Sequence, residues 1–199
     1  MRREGEATNN IQLAADAGNL AAFLAKLRKD NSLRYENLLG TIRSVAPFFD
    51  DFILEPFQKG PKELIKLDWK QRGGNAPMQP WQMSDGTLRF IGLTTALMQP
   101  KPPSTIVIDE PELGLHPAAL HALANLIKET SDKTQVIIAT QSTVLLDEFL
   151  PEHILIARQQ GGESHYERLP ADALKEWLDD YRLGDLMRKN VIDSAPSHV

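Results

Sequence analysis

Residues 104–117 read Ser-Thr-Ile-Val-Ile-Asp-Glu-Pro-Glu-Leu-Gly-Leu-His-Pro, and this stretch decides the fold class. Its apolar, mostly β-branched part, Thr105 to Ile108, ends in two adjacent carboxylates, Asp109 and Glu110. Such a run predicts a buried strand, and the Pro/Gly turn after it predicts a tight connection into a helix. Sites in α/β sheets lie at the carboxyl ends of the strands, so we predict that the two acids mark a site.

The composition excludes several classes of protein. The 199 residues are 42% hydrophobic and 25% charged, which is typical of one globular domain with a sizeable core. The net charge of -5 provides no global attraction to nucleic acid or to an anionic membrane. There is no cysteine, which excludes disulfides and thiolate metal sites and fits a cytoplasmic location. No apolar run approaches the roughly 20 residues of a membrane span, so we expect no membrane partner.

Ahead of the central strand, the pattern predicts a lead-in over residues 10–82. Apolar spacing predicts two helices, followed by two strand-like runs that can form a hairpin and then a loop. Gly18 and Asn19 favour a break in the first helix, so that its stronger part is 19–29. The expected elements are helices from Ile11 to Lys29 and from Leu33 to Val45, strands over 49–57 and 62–70, and a loop over 71–83.

Residues 83–199 alternate strands and helices around residues 104–117, which predicts an α/β fold with parallel strands flanked by helices. The lead-in and this part together make one predicted domain, with the helical pair and the hairpin added on the N-terminal side. The expected elements are a helix from Ser84 or Asp85 to before Pro100, the central strand, a helix from Pro117 to about Thr130, a strand over 135–140, a short helix through Phe149, a hairpin of 154–158 with 166–169, a helix over 171–181 and a loose end.

The adjacent acids Asp109 and Glu110 suit nucleotide hydrolysis. One acid can help to hold Mg²⁺ while its neighbour orients or deprotonates the attacking water. Adjacent residues of an extended strand point in opposite directions, which suits two different roles at one sheet edge. The alternative is a strand that simply ends in solvated acids.

Two polar turns flank this strand in the sequence. Ser84-Asp85-Gly86-Thr87 combines a hydroxyl, a glycine and backbone N–H groups at a predicted helix start, which makes an anion site or an ordinary N-cap. Thr140-Gln141-Ser142 follows the next strand, where a polar side chain can reach a phosphate or the attacking water, or merely cap a turn. Each turn is ambiguous alone, and their order around the acidic strand favours function.

Taken in order, these segments resemble the C-terminal half of ABC-type ATPases, and most of all the soluble RecF-like and SMC-like group that includes many "AAA family" ATPases. The resemblance covers about residues 83–145 and implies an ATP- and Mg²⁺-dependent ATPase that works as a head-to-tail dimer. It implies that Asp109 is the Walker B residue near Mg²⁺ and Glu110 the catalytic glutamate. The other implied site residues are Ser84, Asp85, Gly86 and Thr87 of the signature motif, which contacts ATP of the partner subunit, His116 of the D-loop Gly114 to Pro117, and Gln141 at the switch position.

The chain departs from that family pattern in two ways. Gln141 stands where the family usually has histidine, and glutamine can hydrogen-bond but carries no charge. No G-x-x-x-x-G-K-[ST] occurs in the 199 residues. We therefore expect a C-terminal half, whether fragment, truncated gene or split subunit, completed by a partner that carries the phosphate loop. DNA and an effector protein are further candidate partners, and a non-catalytic interaction module is the alternative function.

Two tryptophans, Trp69 and Trp81, flank the glycine-containing loop. Aromatic side chains of this kind can pack in the core or stack on a base. We expect both to pack in the core or against the loop.

Overall fold

The computed structural model describes residues 1–2, 4–8, 10–74, 76–169 and 174–192. Its contacts divide the chain into two compact units, Met1–Ile138 and Ala139–Val199. Within the described ranges, no helix is long and apolar enough to cross a membrane.

A helical pair opens the larger unit. Helix α1 spans Leu20–Asp30 and buries Leu20, Phe23, Leu24 and Leu27, the face expected from the apolar spacing. Helix α2 spans Ser32–Val45, and the side chain of Asn31 caps it by accepting from the backbone N–H of Arg34. The prediction of two helices is confirmed, and the first one begins after Gly18, where a break was expected.

The strands after the helical pair form a nested hairpin. Its outer strands are β2 (Phe49–Ile53) and β5 (Asp68–Gln71), which pair antiparallel with Phe52 opposite Trp69. Its inner strands are β3 (Pro56–Lys59) and β4 (Lys62–Ile65), joined at Gly60, whose φ of +62° suits a glycine. Two short strands, β1 (Gly5–Glu6) and β6 (Pro77–Met78), extend the sheets to give the orders β1-β4-β3 and β2-β5-β6. The predicted hairpin is confirmed, although it is divided between two sheets.

The strand quoted at the outset lies in a strand–helix–strand unit. Helix α3 (Asp85–Met98) precedes strand β7 (Thr105–Asp109), helix α4 (Pro117–Ser131) follows it, and β8 (Gln135–Ala139) pairs in parallel with β7. Helices α3 and α4 pack against each other, and the Thr130 hydroxyl donates to the carbonyl of Leu97 at 3.2 Å. The α/β fold class is confirmed.

The prediction of a buried central strand holds for only one face of β7. Ile106 and Ile108 are buried, but Val107 between them is 71% exposed and Ile137 of β8 is 46% exposed. Successive side chains of a strand point to opposite faces, so one face of this two-stranded sheet is covered and the other is open. A continuous apolar run cannot by itself distinguish these arrangements.

The core of the larger unit lies between the helical pair, the nested hairpin and the start of α3. It includes Tyr35, whose hydroxyl donates to Asp51 at 2.7 Å. Burial and this hydrogen bond raise the pKa of Tyr35 well above its usual value, so its phenol stays protonated. Members of the core from the different elements include Leu24, Leu39, Ile42, Phe49, Phe52, Trp69, Leu88 and Ile91.

The smaller unit begins at the end of β8. Helix α5 (Thr143–Leu146) is shorter than expected, and the hairpin of β9 (Leu155–Gln160) and β10 (Glu163–Arg168) across Gly161 and Gly162 is confirmed. Residues 171–173 of the helix predicted over 171–181 lie outside the described residues, and the described helix is α6 (Lys175–Leu178). Helix α7 (Leu183–Arg188) occupies part of the chain end that was expected to be loose.

Contacts that are distant in sequence hold α7 in place. The N–H of Gly184 donates to Asp147 Oδ1 at 2.7 Å, and Arg188 donates to the hydroxyl of Thr143 at 2.7 Å. A Cβ at Gly184 would lie 2.4 Å from the carbonyl oxygen of Thr143, so α5 and α7 approach more closely than any residue with a side chain allows.

Candidate active site

The start of α3 has the geometry of a well-formed helix cap. Ser84 is extended, and its hydroxyl accepts from the backbone N–H of Thr87 at 3.1 Å and lies 2.8 Å from the Thr87 hydroxyl. Asp85 is exposed and forms an ion pair with Arg2 at 2.7 Å. The N-terminus of this 14-residue helix carries a partial positive charge, which favours an anion there.

Gly86 brings the start of α3 into contact with the turn after β7. A Cβ at Gly86 would lie only 2.0 Å from the carbonyl oxygen of Gly114, so no other residue fits without a shift of the backbone. Gly114 itself has a φ of +75°, which favours glycine for a separate reason. Two glycines from segments 28 positions apart in sequence thus bring the predicted signature motif and D-loop together.

The acids Asp109 and Glu110 lie at the exposed carboxyl end of β7. Glu110 adopts a φ of +44°, in the left-handed region that residues other than glycine rarely occupy. Such a backbone conformation costs about 1–3 kcal/mol and persists only where neighbouring contacts enforce it. Here the Glu110 carbonyl accepts from Leu113 N–H at 3.3 Å, which closes the turn.

Arg89 of α3 holds the backbone at this strand end. Its Nη2 donates to the carbonyl oxygens of Asp109 at 3.2 Å and of Glu110 at 2.7 Å. A charged donor makes these hydrogen bonds stronger than neutral ones. Sequence reasoning missed Arg89, and the available signal was its place on the second turn of the helix that follows Ser84.

His116 caps the helix after the D-loop. Its Nδ1 accepts from the N–H of Ala118 at 3.3 Å, and Pro117 takes the first helical position, as expected. The ring is exposed. A capping role of this kind leaves its Nε2 available for a further contact.

Gln141 lies at the start of the smaller unit and is exposed. Its neighbours form the capping turn that was one of the two expected readings: Thr140 Oγ1 accepts from Ser142 N–H at 3.0 Å, and Ser142 caps α5 by accepting from Leu145 N–H at 3.2 Å. The role of Gln141 in turnover stays a prediction.

Among the residues that the structure describes, no group of three or more His, Cys, Asp or Glu side chains could hold a metal ion. Mg²⁺ is commonly bound through one or two carboxylates together with substrate phosphates and water, rather than by an all-protein cage. The single exposed Asp109 carboxylate at the end of β7 fits that kind of site.

Several solved structures with a similar fold come from work on SMC proteins. One, from work on ATP-driven dimerization and DNA-stimulated activation of SMC ATPases, has a TM-score of 0.56 and 21% identity, over 79% of this chain and 96% of that chain. An SMC head bound to the C-winged helix domain of ScpA has a TM-score of 0.53 and 20% identity, over 79% and 56%. An SMC head with an extended coiled coil, from Pyrococcus furiosus, has a TM-score of 0.56 and 21% identity, over 83% and 44%. At such identities the likeness concerns the fold.

The fold of this chain is therefore similar to that of SMC ATPase structures. A family profile, described as "AAA domain, putative AbiEii toxin, Type IV TA system", matches residues 5–147. The chain belongs to this family of AAA domains. A comparison with curated proteins gave no match.

Proposed function

We propose that this chain provides the signature and Walker B part of a site that binds and hydrolyses ATP. The observation that carries the proposal is the assembly of motifs in the larger unit. Gly86 of the signature turn contacts Gly114 of the D-loop, and Arg89 of the same helix holds the backbone of Asp109 and Glu110. Membership of the AAA-domain family supports the same conclusion.

Each predicted site residue has a role in this proposal. The start of α3, from Ser84 to Thr87, contacts the γ-phosphate of ATP held by a partner, with His116 near the same interface. The carboxylate of Asp109 would help to hold Mg²⁺, which would neutralise phosphate charge when bound. Glu110 accepts a proton from the attacking water, and Gln141 hydrogen-bonds the water or the γ-phosphate.

The exposed face of the β7–β8 sheet is an argument for a partner segment. Val107 and Ile137 leave apolar area exposed on a parallel pair of strands, and parallel sheets are normally covered on both faces. We propose that a segment carrying the phosphate loop, in another part of the protein or in another chain, covers this face. A head-to-tail dimer then places the α3 start of one copy against ATP held by the other.

Replacing Glu110 by glutamine tests the proposal. In the ATPase assembled with its phosphate-loop segment, Glu110→Gln should lower kcat at least a hundredfold and leave ATP binding intact, because glutamine keeps the shape but cannot take the proton. Steady-state turnover and nucleotide retention on gel filtration measure this. Glu129→Gln, an exposed site on α4, is the matched control. Unchanged turnover in Glu110→Gln would refute the role given to Glu110.

A non-catalytic interaction module is the second candidate. It is favoured by one observation, that no G-x-x-x-x-G-K-[ST] occurs in the 199 residues. A reconstituted protein without measurable ATP turnover would favour this candidate.

The cellular process that we propose is DNA repair or defence. The likeness to SMC heads, one of them from work on DNA-stimulated activation, motivates it. ATP turnover measured with and without double-stranded DNA is the test. A rate that DNA leaves unchanged would argue against a DNA-directed process.

A further inference from the structure

One of the two tryptophans that flank the loop before α3 is not part of the core. Trp69 is 2% exposed and donates from its indole nitrogen to the carbonyl of Gln79 at 3.2 Å. Trp81 is 66% exposed, on a single 3₁₀ turn three residues before Ser84. The expectation of packing holds for Trp69 and is wrong for Trp81. Trp81 therefore presents a large exposed aromatic surface close in sequence to the predicted phosphate site.

Trp81 forms one wall of an open cavity in the larger unit. The cavity has a volume of about 480 Å³ and is lined by Arg2, Glu4, Lys66, Pro80 and Trp81. Small-molecule sites in proteins fall within about 300–1,000 Å³ and combine apolar surface with a few placed polar groups. The volume of the cavity falls in that range, and its lining combines an aromatic ring with charged side chains.

Arg2 ties this cavity to the signature turn. Its guanidinium donates to the carbonyl of Met83 at 3.0 Å and pairs with the carboxylate of Asp85 at 2.7 Å. Three residues of chain span at most about 10 Å, so Trp81 lies within the length of one nucleotide from Ser84. A nucleotide whose phosphates contact the start of α3 can place its base in the cavity.

The charges of the lining favour a neutral ring system over a polyanion. Arg2 is paired with Asp85, and Glu4 accepts from Lys59 at 2.8 Å and lies 3.8 Å from Lys66. A nucleic-acid strand requires a track of cations available for its phosphates. Here the cations are already compensated by carboxylates, while Glu4 and Lys66 offer an acceptor and a donor to the polar edge of a base.

We propose that Trp81 stacks on the adenine ring of an ATP whose phosphates lie at the start of α3. This inference rests on the proposed function, because it takes the phosphate position from it. Stacking of a base on an aromatic side chain gains binding without sequence contacts, since every base has a π-face. The cavity then determines how tightly the signature side of the site holds nucleotide.

Fluorescence of the chain itself tests the cavity without any turnover. Trp177→Phe leaves Trp81 as the exposed indole and Trp69 as a buried reference. Adenosine and ATP should quench this fluorescence saturably at millimolar concentration, and inorganic triphosphate should not, because it has no ring. The variant that also carries Trp81→Phe should lose most of the signal. Absence of saturable quenching by adenosine would overturn the proposal, as would quenching by oligothymidylate alone.

Turnover of the assembled ATPase provides the second test. Trp81→Leu should raise the KM for ATP about tenfold with kcat within about twofold, and Trp81→Phe should restore it, because one stacked base is worth about 1–3 kcal/mol. Trp177→Leu is the matched control. An unchanged KM overturns the proposal. An assembled wild-type protein without turnover refutes the proposed function instead, and the adenosine titration still decides on the cavity.

Discussion

Gly86 shows how one residue determines the geometry of the candidate site. Its backbone lies against the carbonyl of Gly114, so the missing side chain is what allows α3 and the turn after β7 to touch. Ser84, two positions earlier, provides the cap that begins the helix at this point. The cap was predictable from sequence because it depends on near neighbours, whereas the contact with Gly114 depends on the folded chain.

Gly86→Ala should lower the free energy of unfolding by about 1–3 kcal/mol, because the new methyl group would overlap the Gly114 carbonyl. Gly40→Ala is the matched control. Gly40 lies inside α2 with nothing within 4 Å of an added Cβ, so alanine should stabilise by about 0.5–1 kcal/mol. Urea unfolding of both variants measures the difference. A loss at Gly40 equal to that at Gly86 would contradict the contact.

Asp68 connects stability to pH. Burial raises the pKa of this carboxyl, and its Oδ1 has no hydrogen-bond partner among the described residues. The folded state therefore binds a proton more tightly than the unfolded state, and the stability contributed by Asp68 falls as pH rises from the ordinary value of about 4 through the raised pKa.

Asp68→Asn should remove this pH-dependent loss. Relative to the wild type, the variant should gain free energy of unfolding as pH rises through that window and then stay level. Denaturant unfolding between pH 3.5 and pH 8 measures the difference between the two proteins. Other carboxyls contribute equally to both proteins, so their contributions cancel in the difference. One example is Glu4, whose pKa is lowered by the hydrogen bond from Lys59 and whose contribution to stability therefore rises with pH. A difference that shrinks with rising pH would contradict this account.

At the scale of elements, α3 and β7 are connected by Arg89. The two hydrogen bonds to Asp109 and Glu110 hold the strand end in a conformation that includes the unfavourable φ of Glu110. The periodicity of α3 predicts its buried face, which includes Leu88, Ile91 and Thr95. The periodicity does not predict that Arg89, on another face of α3, reaches the backbone at the end of β7.

Arg89→Met should loosen the turn after β7. Loss of the two hydrogen bonds should lower local stability by roughly 1 kcal/mol, which corresponds to about fivefold faster amide exchange. The amides of Leu113 and Leu115, which bond within the turn, are the reporters. Arg34→Met on α2, at an exposed arginine, is the control. Hydrogen exchange followed by NMR measures both. Unchanged exchange at Leu113 and Leu115 in Arg89→Met would mean that Arg89 does not hold the turn.

At the scale of the molecule, the two-stranded β7–β8 sheet has one face that the described residues leave exposed. One face is packed through Ile106 and Ile108, and the other exposes Val107 and Ile137. The sheet of an α/β protein usually has more than two strands and is covered on both faces. This open face is where we propose that the phosphate-loop segment packs.

The open face leads to a prediction with opposite outcomes for neighbouring residues. Val107→Thr should change the free energy of unfolding of the chain by less than about 0.5 kcal/mol, because the side chain is 71% exposed. Ile108→Thr should lower it by about 2 kcal/mol or more, since it removes buried apolar atoms and buries a hydroxyl. In the assembled ATPase, Val107→Thr should weaken association with the phosphate-loop segment, measured by sedimentation velocity. Unaltered association would show that this face is not the contact.

The sequence by itself determined what depends on neighbouring residues. It predicted the Ser84 cap, the helices of the lead-in, the hairpin turns at Gly60 and at Gly161 and Gly162, and the acids at the end of a strand, because helix caps, apolar periods and glycine turns are local in their physics. It also predicted the ATPase class, because several motifs occur in order.

Only the tertiary structure decided the features that depend on distant packing. It placed Gly86 against Gly114, put Arg89 on the backbone of Asp109 and Glu110, exposed Trp81 and one face of β7, and formed α7 against α5. Burial and long-range contact are properties of the folded chain. An apolar run such as Thr105 to Ile108 has the same pattern whether one face is covered or two, so only the folded chain reveals that one face of β7 is open.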